Sequence, residues 1–391
     1  MESNSKLSTL VSHNEDLKKL VDKGYAVSMI DNYLVVRDIP YLDDKKNLHI
    51  GEIVSKAIFI DEVHVRLEDH QIFFCGSHPH ELTGKPIANL GGGVTNLYLS
   101  ESGIVVQRSF SNKPDSGFKD FFEKIESYVN LFSGPAMSLF DITPFTFRLV
   151  ETNSESVFKF QDTLTSRAEI GDLSAKLNND VIAIIGLGGT GSYLLDFLVN
   201  TPVKEIKAFD LDDFHVHNAY RSPGKTSANE FGKKKAEVYQ KRYSDFRKSI
   251  NVYAKYIQSD SDKDLLGVTF AFVCVDKGSS RKEIFDLLIR LKIPFIDVGM
   301  GLDRNAGAIS GTLRTTYFSE NEAQSMLGKN IVPVTNIPED VYRNNIQISE
   351  LNALNACLAV IRYKQLRGFY VDDSCYHNML FTLDNFQSLG E

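Results

Sequence analysis

Cysteine is scarce in this sequence, and what there is does not come in pairs. Cys75, Cys274, Cys357 and Cys375 are the only four, they lie far apart, and no Cys-x-x-Cys occurs, so neither a local zinc knuckle nor a redox dithiol is signalled. Buried, reduced thiols are the ordinary reading of such cysteines. Long apolar runs are missing as well. None reaches about 18 residues, which leaves no membrane-spanning helix to expect, and the polar start Met1-Glu2-Ser3-Asn4-Ser5 lacks the pattern of a secretory signal. The expected location is the cytoplasm. There is no excess of positive charge either. With 43 Lys and Arg against 51 Asp and Glu the net charge is −8, which argues against a general nucleic-acid or anionic-membrane binder while leaving room for local basic pockets that hold phosphate.

The 391 residues, 42% apolar and 24% charged, have a globular composition with room for two or three domains, each with its own core. Residues 1 to about 24 read as a helical lead-in with Leu10, Leu17, Leu20 and Val21 on its apolar face. Short alternating segments follow at Ala26 to Ile30, Tyr33 to Arg37, Gly51 to Phe59, Gln71 to Cys75 and Gly103 to Phe110. Separated by turn-forming clusters, they predict a small, mostly antiparallel sheet. Gly84 to Gly93 reads as a loop and Phe118 to Phe132 as a helix. His78-Pro79-His80, near Cys75, is the one cluster here with ligand-type side chains, and such a cluster in a turn usually marks a solvated loop. The expected organisation is an α+β domain over residues 1–150, a role in docking a partner being conceivable from architecture alone. A polar connector and helix over 151–180 and a nucleotide-binding domain over 181–391 follow.

The most informative stretch is Val181-Ile-Ala-Ile-Ile-Gly186-Leu-Gly188-Gly189-Thr-Gly191-Ser192, with apolar residues resuming at helical spacing. It reads as a buried parallel strand, a tight turn and a helix start. Glycines let the backbone turn sharply and approach a phosphate, which then meets the free N–H groups and positive dipole end of the helix. The next strand, Glu205 to Phe209, ends in Asp210, nineteen residues beyond Gly191, where a carboxylate reaches ribose hydroxyls. To this point a dinucleotide site would look the same. The following residues would be superfluous in one: Asp212, Asn218 and Arg221, then Lys235-Ala236, and Asp276 at the end of the strand Val268 to Val275. A triphosphate cleaved between its α and β phosphates needs fixed cations and a carboxylate for Mg²⁺. Ile293 to Val298 reads as a fourth strand leading into a loop, Gly299-Met300-Gly301.

The series Gly186-x-Gly188-Gly189-x-Gly191-Ser192, Asp210-x-Asp212, Asn218-x-x-Arg221, Lys235-Ala236 and Asp276 resembles the ThiF/MoeB family of adenylyltransferases, related to the ubiquitin-activating enzymes. The resemblance covers about residues 165 to 365. The whole chain looks like the bacterial ThiF-type proteins with an extra N-terminal domain, some of them associated with ubiquitin-like conjugation gene sets. It implies a Rossmann-like, doubly wound α/β sheet preceded by a smaller α+β domain. It also implies binding of ATP and Mg²⁺, adenylation of the C-terminal glycine carboxylate of a ubiquitin-like protein, and a homodimer. Carried over by motif, the glycine loop holds the nucleotide with Asp212 beside it, and Asp210 takes the ribose. Asn218, Arg221 and Lys235 contact phosphates, and Asp276 organises Mg²⁺. Arg167, nineteen residues before Gly186, would reach into the partner's site, although Thr165-Ser166-Arg167-Ala168 matches the family's usual run poorly.

Some family features are missing. The zinc-binding cysteine pairs are absent, Lys277 replaces a frequent Asn, and no cysteine falls between Gly311 and Tyr342, where a thioester-forming nucleophile is expected. Of the remaining thiols, Cys274 reads as core. Cys357 reads as buried in an amphipathic helix, Ser349 to Lys364, whose Leu351, Leu354, Leu358 and Ile361 repeat at core spacing. Cys375, in a polar tail two residues before His377, is the weak candidate for an acyl acceptor. His215, His217, Lys233 and Lys234 read as solvated residues, and Arg281 as either a phosphate contact or a surface charge. Three alternatives stand beside adenylation of a ubiquitin-like protein. They are adenylation of a peptide or small carboxylate, an NAD-dependent oxidoreductase, and a nucleotide-binding scaffold without catalysis.

Overall fold

A computed structural model describes residues 7, 10–99, 103–148, 156–160, 162, 164–165, 168, 170–305, 307–329, 332–333 and 346–390. Arg167 and residues 334–345 lie outside the described residues. The chain divides into two compact units, Met1–Gly171 and Asp172–Glu391.

The first unit opens with helix α1 (Glu15–Lys23), stopped by Gly24 in the left-handed conformation at φ 103°, which glycine adopts without penalty. Strands β1 (Ala26–Ile30), β2 (Tyr33–Leu42), β3 (Leu48–Phe59), β4 (Val65–Leu67), β5 (Ile72–Cys75), β6 (Gly93–Tyr98) and β7 (Val105–Phe110) form one sheet in the order β1-β2-β3-β5-β7-β6, with β4 on β3. Every pairing is antiparallel, as the alternating pattern predicted. Three strands differ from expectation, the three-residue β4 being one that no expected segment covered. β2 runs five residues past Arg37 because a bulge between Val36 and Ile39 lets it re-pair with β3. β6 was hidden in the glycine-rich stretch, its side chains nearly all exposed, so no burial pattern marked it. Helix α2 (Phe121–Leu139) is capped by Asp120, whose side chain accepts the N–H of Glu123 at 2.9 Å. It continues through Pro135 well beyond Phe132. Its Phe121, Ile125, Tyr128, Val129 and Phe132 pack with Leu17, Leu20, Phe74 and Phe110 in the unit's main core.

The second unit is an eight-stranded sheet. After a short helix, α3 (Gly171–Ala175), come β8 (Val181–Ile185), α4 (Gly189–Val199), β9 (Glu205–Phe209), α5 (Val216–Ala219), α6 (Lys235–Ser244), β10 (Ile250–Tyr253), β11 (Phe270–Val273) and α7 (Gly278–Arg290). β12 (Phe295–Asn305), β13 (Ala308–Phe318), α8 (Ala323–Leu327), α9 (Ser349–Leu366), β14 (Asn378–Thr382) and β15 (Gln387–Gly390) follow. The order is β10-β9-β8-β11-β12-β13-β14-β15. Parallel pairing holds from β10 to β12 and antiparallel pairing from there on. β8 is buried at all five positions, which is why its sequence is a continuous apolar run rather than an alternating one. The fold is therefore the doubly wound α/β sheet expected, with helices on both faces.

Two expectations in this unit are corrected. Gly299-Met300-Gly301 is not a loop. β12 runs through it to Asn305, paired residue for residue with β13 from Phe295↔Phe318 to Asn305↔Ala308. The helix at 349–366 buries only Leu351 of its expected apolar stripe. Asn352, Asn355, Ala356, Ala359 and Tyr363 are buried, Ile361 is 44% exposed and Cys357 is half-buried. The small side chains let α9 approach α4 closely: a Cβ on Gly189 would sit 2.3 Å from the Asn352 amide, and Thr190 Oγ1 donates to Asn352 Oδ1 at 3.1 Å. Leu354 and Leu358 pack only partly, with Leu313 and Phe381 of the antiparallel strands. Among the described residues no helix is long and apolar enough to cross a membrane.

Candidate functional site

The glycine turn joins β8 to α4. Gly186 has φ 96°, and a Cβ there would lie 2.7 Å from the Cys274 carbonyl oxygen. A Cβ on Gly191 would lie 1.9 Å from the Gly186 carbonyl oxygen. These two glycines thus close the turn itself, and Gly189 makes room for α9. Gly188, the N-cap of α4, is the one with nothing within 4 Å of its would-be Cβ, so it leaves space in front of the helix's first amides. Those amides and the helix dipole favour an anion there.

Asp210, at the carboxyl end of β9, is 6% exposed. Its Oδ2 accepts the Leu187 N–H at 2.7 Å and its Oδ1 the Asp212 N–H at 2.9 Å. Lys235 opens α6. Its ammonium, equally buried, lies 3.3 Å from Asp210 Oδ2 and 2.9 Å from Asp212 Oδ2. Its backbone is held by the bond from its N–H to the Asp212 carbonyl at 3.0 Å. The more exposed Asp212 takes a further hydrogen bond from the Tyr256 hydroxyl at 2.8 Å. Desolvation pushes the Asp212 carboxyl up, but the bonds from Lys235 and Tyr256 outweigh it and leave its pKa below the ordinary value.

Asn218 is buried in α5, its Oδ1 accepting the His215 N–H at 2.8 Å in a capping box. Two residues beyond α5, Arg221 is half-buried, and its Nε is buried with no hydrogen-bond partner among the described residues. An orphaned guanidinium N–H is costly without a partner, so this donor fits an anionic ligand. Asp212, Asn218, Arg221 and Lys235 line one cavity of about 400 Å³, together with Lys234 and Tyr256. Asp276 follows β11. Its side chain is exposed to solvent at the surface of the site. Desolvation raises its pKa, against the opposing charges of Arg221, Arg281 and Lys235. The side chains that the motifs singled out are therefore electrostatic neighbours at the carboxyl ends of β8, β9 and β11, where open α/β sheets bind ligands.

Other expectations resolve differently. Arg281 is neither a surface charge nor open to a phosphate. It is 7% exposed, and it donates to Asp297 Oδ1 at 3.0 Å and to the Val275 carbonyl at 2.7 Å. Arg314 holds the other Asp297 oxygen at 2.6 Å. Lys234 is not a solvated helix lysine. It is the N-cap of α6, pairing with Asp213 at 2.7 Å. His215 and His217 lie at the cavity wall. Burial, then Arg221, His215 and Lys235, lower the pKa of His217. Among the described residues no three His, Cys, Asp or Glu side chains cluster as a metal cage. Tyr256, Asn352 and Asn355 escaped notice in the sequence. Tyr256 belongs to no motif, whereas two asparagines three positions apart in an apolar helix were a signal of buried polar contacts.

The sequence profile of the ThiF family matches residues 163–358, and that of a domain of unknown function, DUF6791, matches residues 15–163. The chain is 27% identical over 132 residues to the tRNA threonylcarbamoyladenosine dehydratase of Haemophilus influenzae, an alignment covering 33% of this chain and 50% of that protein. It thus spans about half the length of that curated relative. Among solved structures, PaaA resembles it with a TM-score of 0.43 at 15% identity, over 56% of this chain and 75% of that one. E. coli MccB with ATP gives 0.40 at 18% identity, over 56% and 65% of the two chains. With the family's profile matched over half of its length, residues 163–358 of 391, this chain belongs to the ThiF family.

Proposed function

We propose that this chain is an ATP-dependent adenylyltransferase that activates the C-terminal glycine carboxylate of a ubiquitin-like protein as an acyl-adenylate. One observation carries the reading: Asn218, Arg221 and Lys235 line a single cavity with Asp212, and the Arg221 Nε there has no partner of its own among the described residues. Membership in the ThiF family supports it. A carboxylate is already ionised at neutral pH, so the reaction needs no general base. One carboxylate oxygen attacks the α-phosphorus in line, the bond from that phosphorus to the α–β bridging oxygen breaks, and pyrophosphate leaves with the electron pair. Arg221 and Lys235 meet the negative charge that builds on the transferring and leaving oxygens. The N-terminal amides of α4 hold the phosphates, and Asp210 anchors the ribose side. Asp276 would hold Mg²⁺, with nucleotide phosphates as the other ligands, which is the usual way of binding this ion and requires no cage. When bound, Mg²⁺ would supply further charge neutralisation on the departing pyrophosphate. The reading includes a cytoplasmic homodimer with Arg167 of each copy reaching the other's site, and a first domain that docks the partner protein.

Pyrophosphate exchange into ATP tests it on the full chain with Mg²⁺. The expected result is exchange that depends on a ubiquitin-fold protein ending in glycine. Exchange stimulated only by a short peptide or small carboxylate would replace that substrate with the smaller one. No exchange with any carboxylate, or tight binding of NADH and none of ATP, would overturn the adenylyltransferase reading.

A further inference from the structure

We infer that Tyr256 is the base-recognition residue of this site, its ring serving as the platform on which the purine of a nucleoside triphosphate stacks. The inference rests on the nucleotide reading above and goes beyond it to one residue that no motif marks.

β10, β9 and β8 lie side by side and parallel, so their carboxyl ends form one edge. The turn after β8 offers helix amides, the chemistry that suits phosphate. After β9 come the carboxylates Asp210 and Asp212, the chemistry that suits ribose hydroxyls. Tyr256 lies three residues beyond the end of β10 at Tyr253. Neighbouring strands are about 4.8 Å apart, so two steps along this edge cover roughly 10 Å, the span of a nucleotide from phosphate to base. A nucleotide laid outward from the glycine turn reaches its base where Tyr256 stands.

The side chain is suited to that task. Tyr256 is 53% exposed and lines the same cavity as Arg221 and Lys235. Its hydroxyl is already engaged, donating to Asp212 Oδ1 at 2.8 Å, while Asp212 Oδ2 takes Lys235 at 2.9 Å. The Asp212 hydrogen bond, followed by desolvation, pushes the phenol pKa up to about 12, so it stays a neutral donor. Tethered through its tip, the residue has its ring rather than its hydroxyl to offer a ligand, in an orientation fixed before binding. Aromatic faces take bases by stacking, and purines offer the larger surface.

Calorimetric titration of the full chain in Mg²⁺ with ATP, CTP and inorganic tripolyphosphate tests this. The wild type is expected to prefer ATP to CTP. Tyr256→Ala is expected to weaken ATP by about tenfold or more, to close the gap between ATP and CTP, and to leave tripolyphosphate affinity unchanged. Tyr256→Phe, which keeps the ring and loses the tether, is expected to retain the gap. The inference falls if Tyr256→Ala keeps the wild-type preference, or if tripolyphosphate weakens as much as ATP, because the tyrosine would then only hold Asp212 and Lys235 in place. It falls alone if the wild type binds ATP and CTP equally. A wild type that binds none of the three removes the nucleotide reading as well.

Discussion

The backbone N–H of Leu187, in the middle of the glycine turn, donates to Asp210 Oδ2 at 2.7 Å. The turn after β8 and the carboxylate after β9 are therefore one hydrogen-bonded unit, and Lys235 joins it through the same oxygen at 3.3 Å. Replacing Asp210 by Ala leaves the Leu187 N–H without its acceptor and takes one of two carboxylates from a buried ammonium. The expected loss is roughly 3 kcal/mol in the unfolding of the second unit, with a smaller loss for Asp210→Asn, which keeps an acceptor. Urea unfolding followed by circular dichroism measures both, and an alanine variant as stable as the wild type would show that the turn holds its shape without this bond.

The four glycines of the turn are expected to differ in tolerance. Gly191→Ala gains about 1 kcal/mol of helix propensity but forces a Cβ to 1.9 Å from the Gly186 carbonyl oxygen, a backbone atom that cannot step aside. Its melting temperature should drop. Gly188→Ala meets nothing within 4 Å and should melt with the wild type while binding ATP more weakly. The opposite ranking in thermal melts would contradict these contacts.

Lys124, in α2 of the first unit, is completely buried. Its ammonium donates to Ser55 Oγ and to the Asp69 carbonyl, both at 2.9 Å. Desolvation lowers its pKa from 10.5 to about 8, against the attraction of Asp69 and Glu68. Between those values the unfolded chain holds a proton that the folded chain has released, so stability rises with pH across that window, by roughly 3 kcal/mol. Below about pH 8 both states are protonated and this contribution is flat. Lys124→Met should remove the slope. Urea midpoints at pH 7.5 and 10 for both proteins decide it, and identical slopes would refute the assignment.

Arg221→Ala and Lys235→Ala should each reduce pyrophosphate exchange by about a hundredfold or more, the usual cost of removing one fixed donor from a developing charge. The Arg221 Nε has no hydrogen-bond partner among the described residues, so its loss should leave the folded state intact. Lys235 is clamped to Asp210 and Asp212, so its loss should also lower stability. Equal melting temperatures for the two variants would argue against this division.

The sequence alone determined the parts whose causes are local. A five-residue apolar run followed by glycines at set spacing reads as a buried strand, a tight turn and a helix start, and β8, the turn and α4 are that unit. The carboxylates and cations that follow at strand and helix ends were legible because short connections tie their positions to those elements. What lay beyond the sequence depended on partners distant along the chain. β12 passes through Gly299 and Gly301 because β13 supplies hydrogen bonds across the hairpin, which outweigh the turn-like character of glycine. The inward face of α9 was decided by α4, whose Gly189 accepts an asparagine where a leucine would not fit. Arg281 became an internal ion partner only because Asp297, on the next strand, is buried beside it. Tyr256 owes its place in the cavity to strand order, which brings β10 next to β9 although no local pattern says so. Periodicity records which side of an element avoids water, but only the assembled sheet and helices determine which neighbour covers that side and which polar groups meet there.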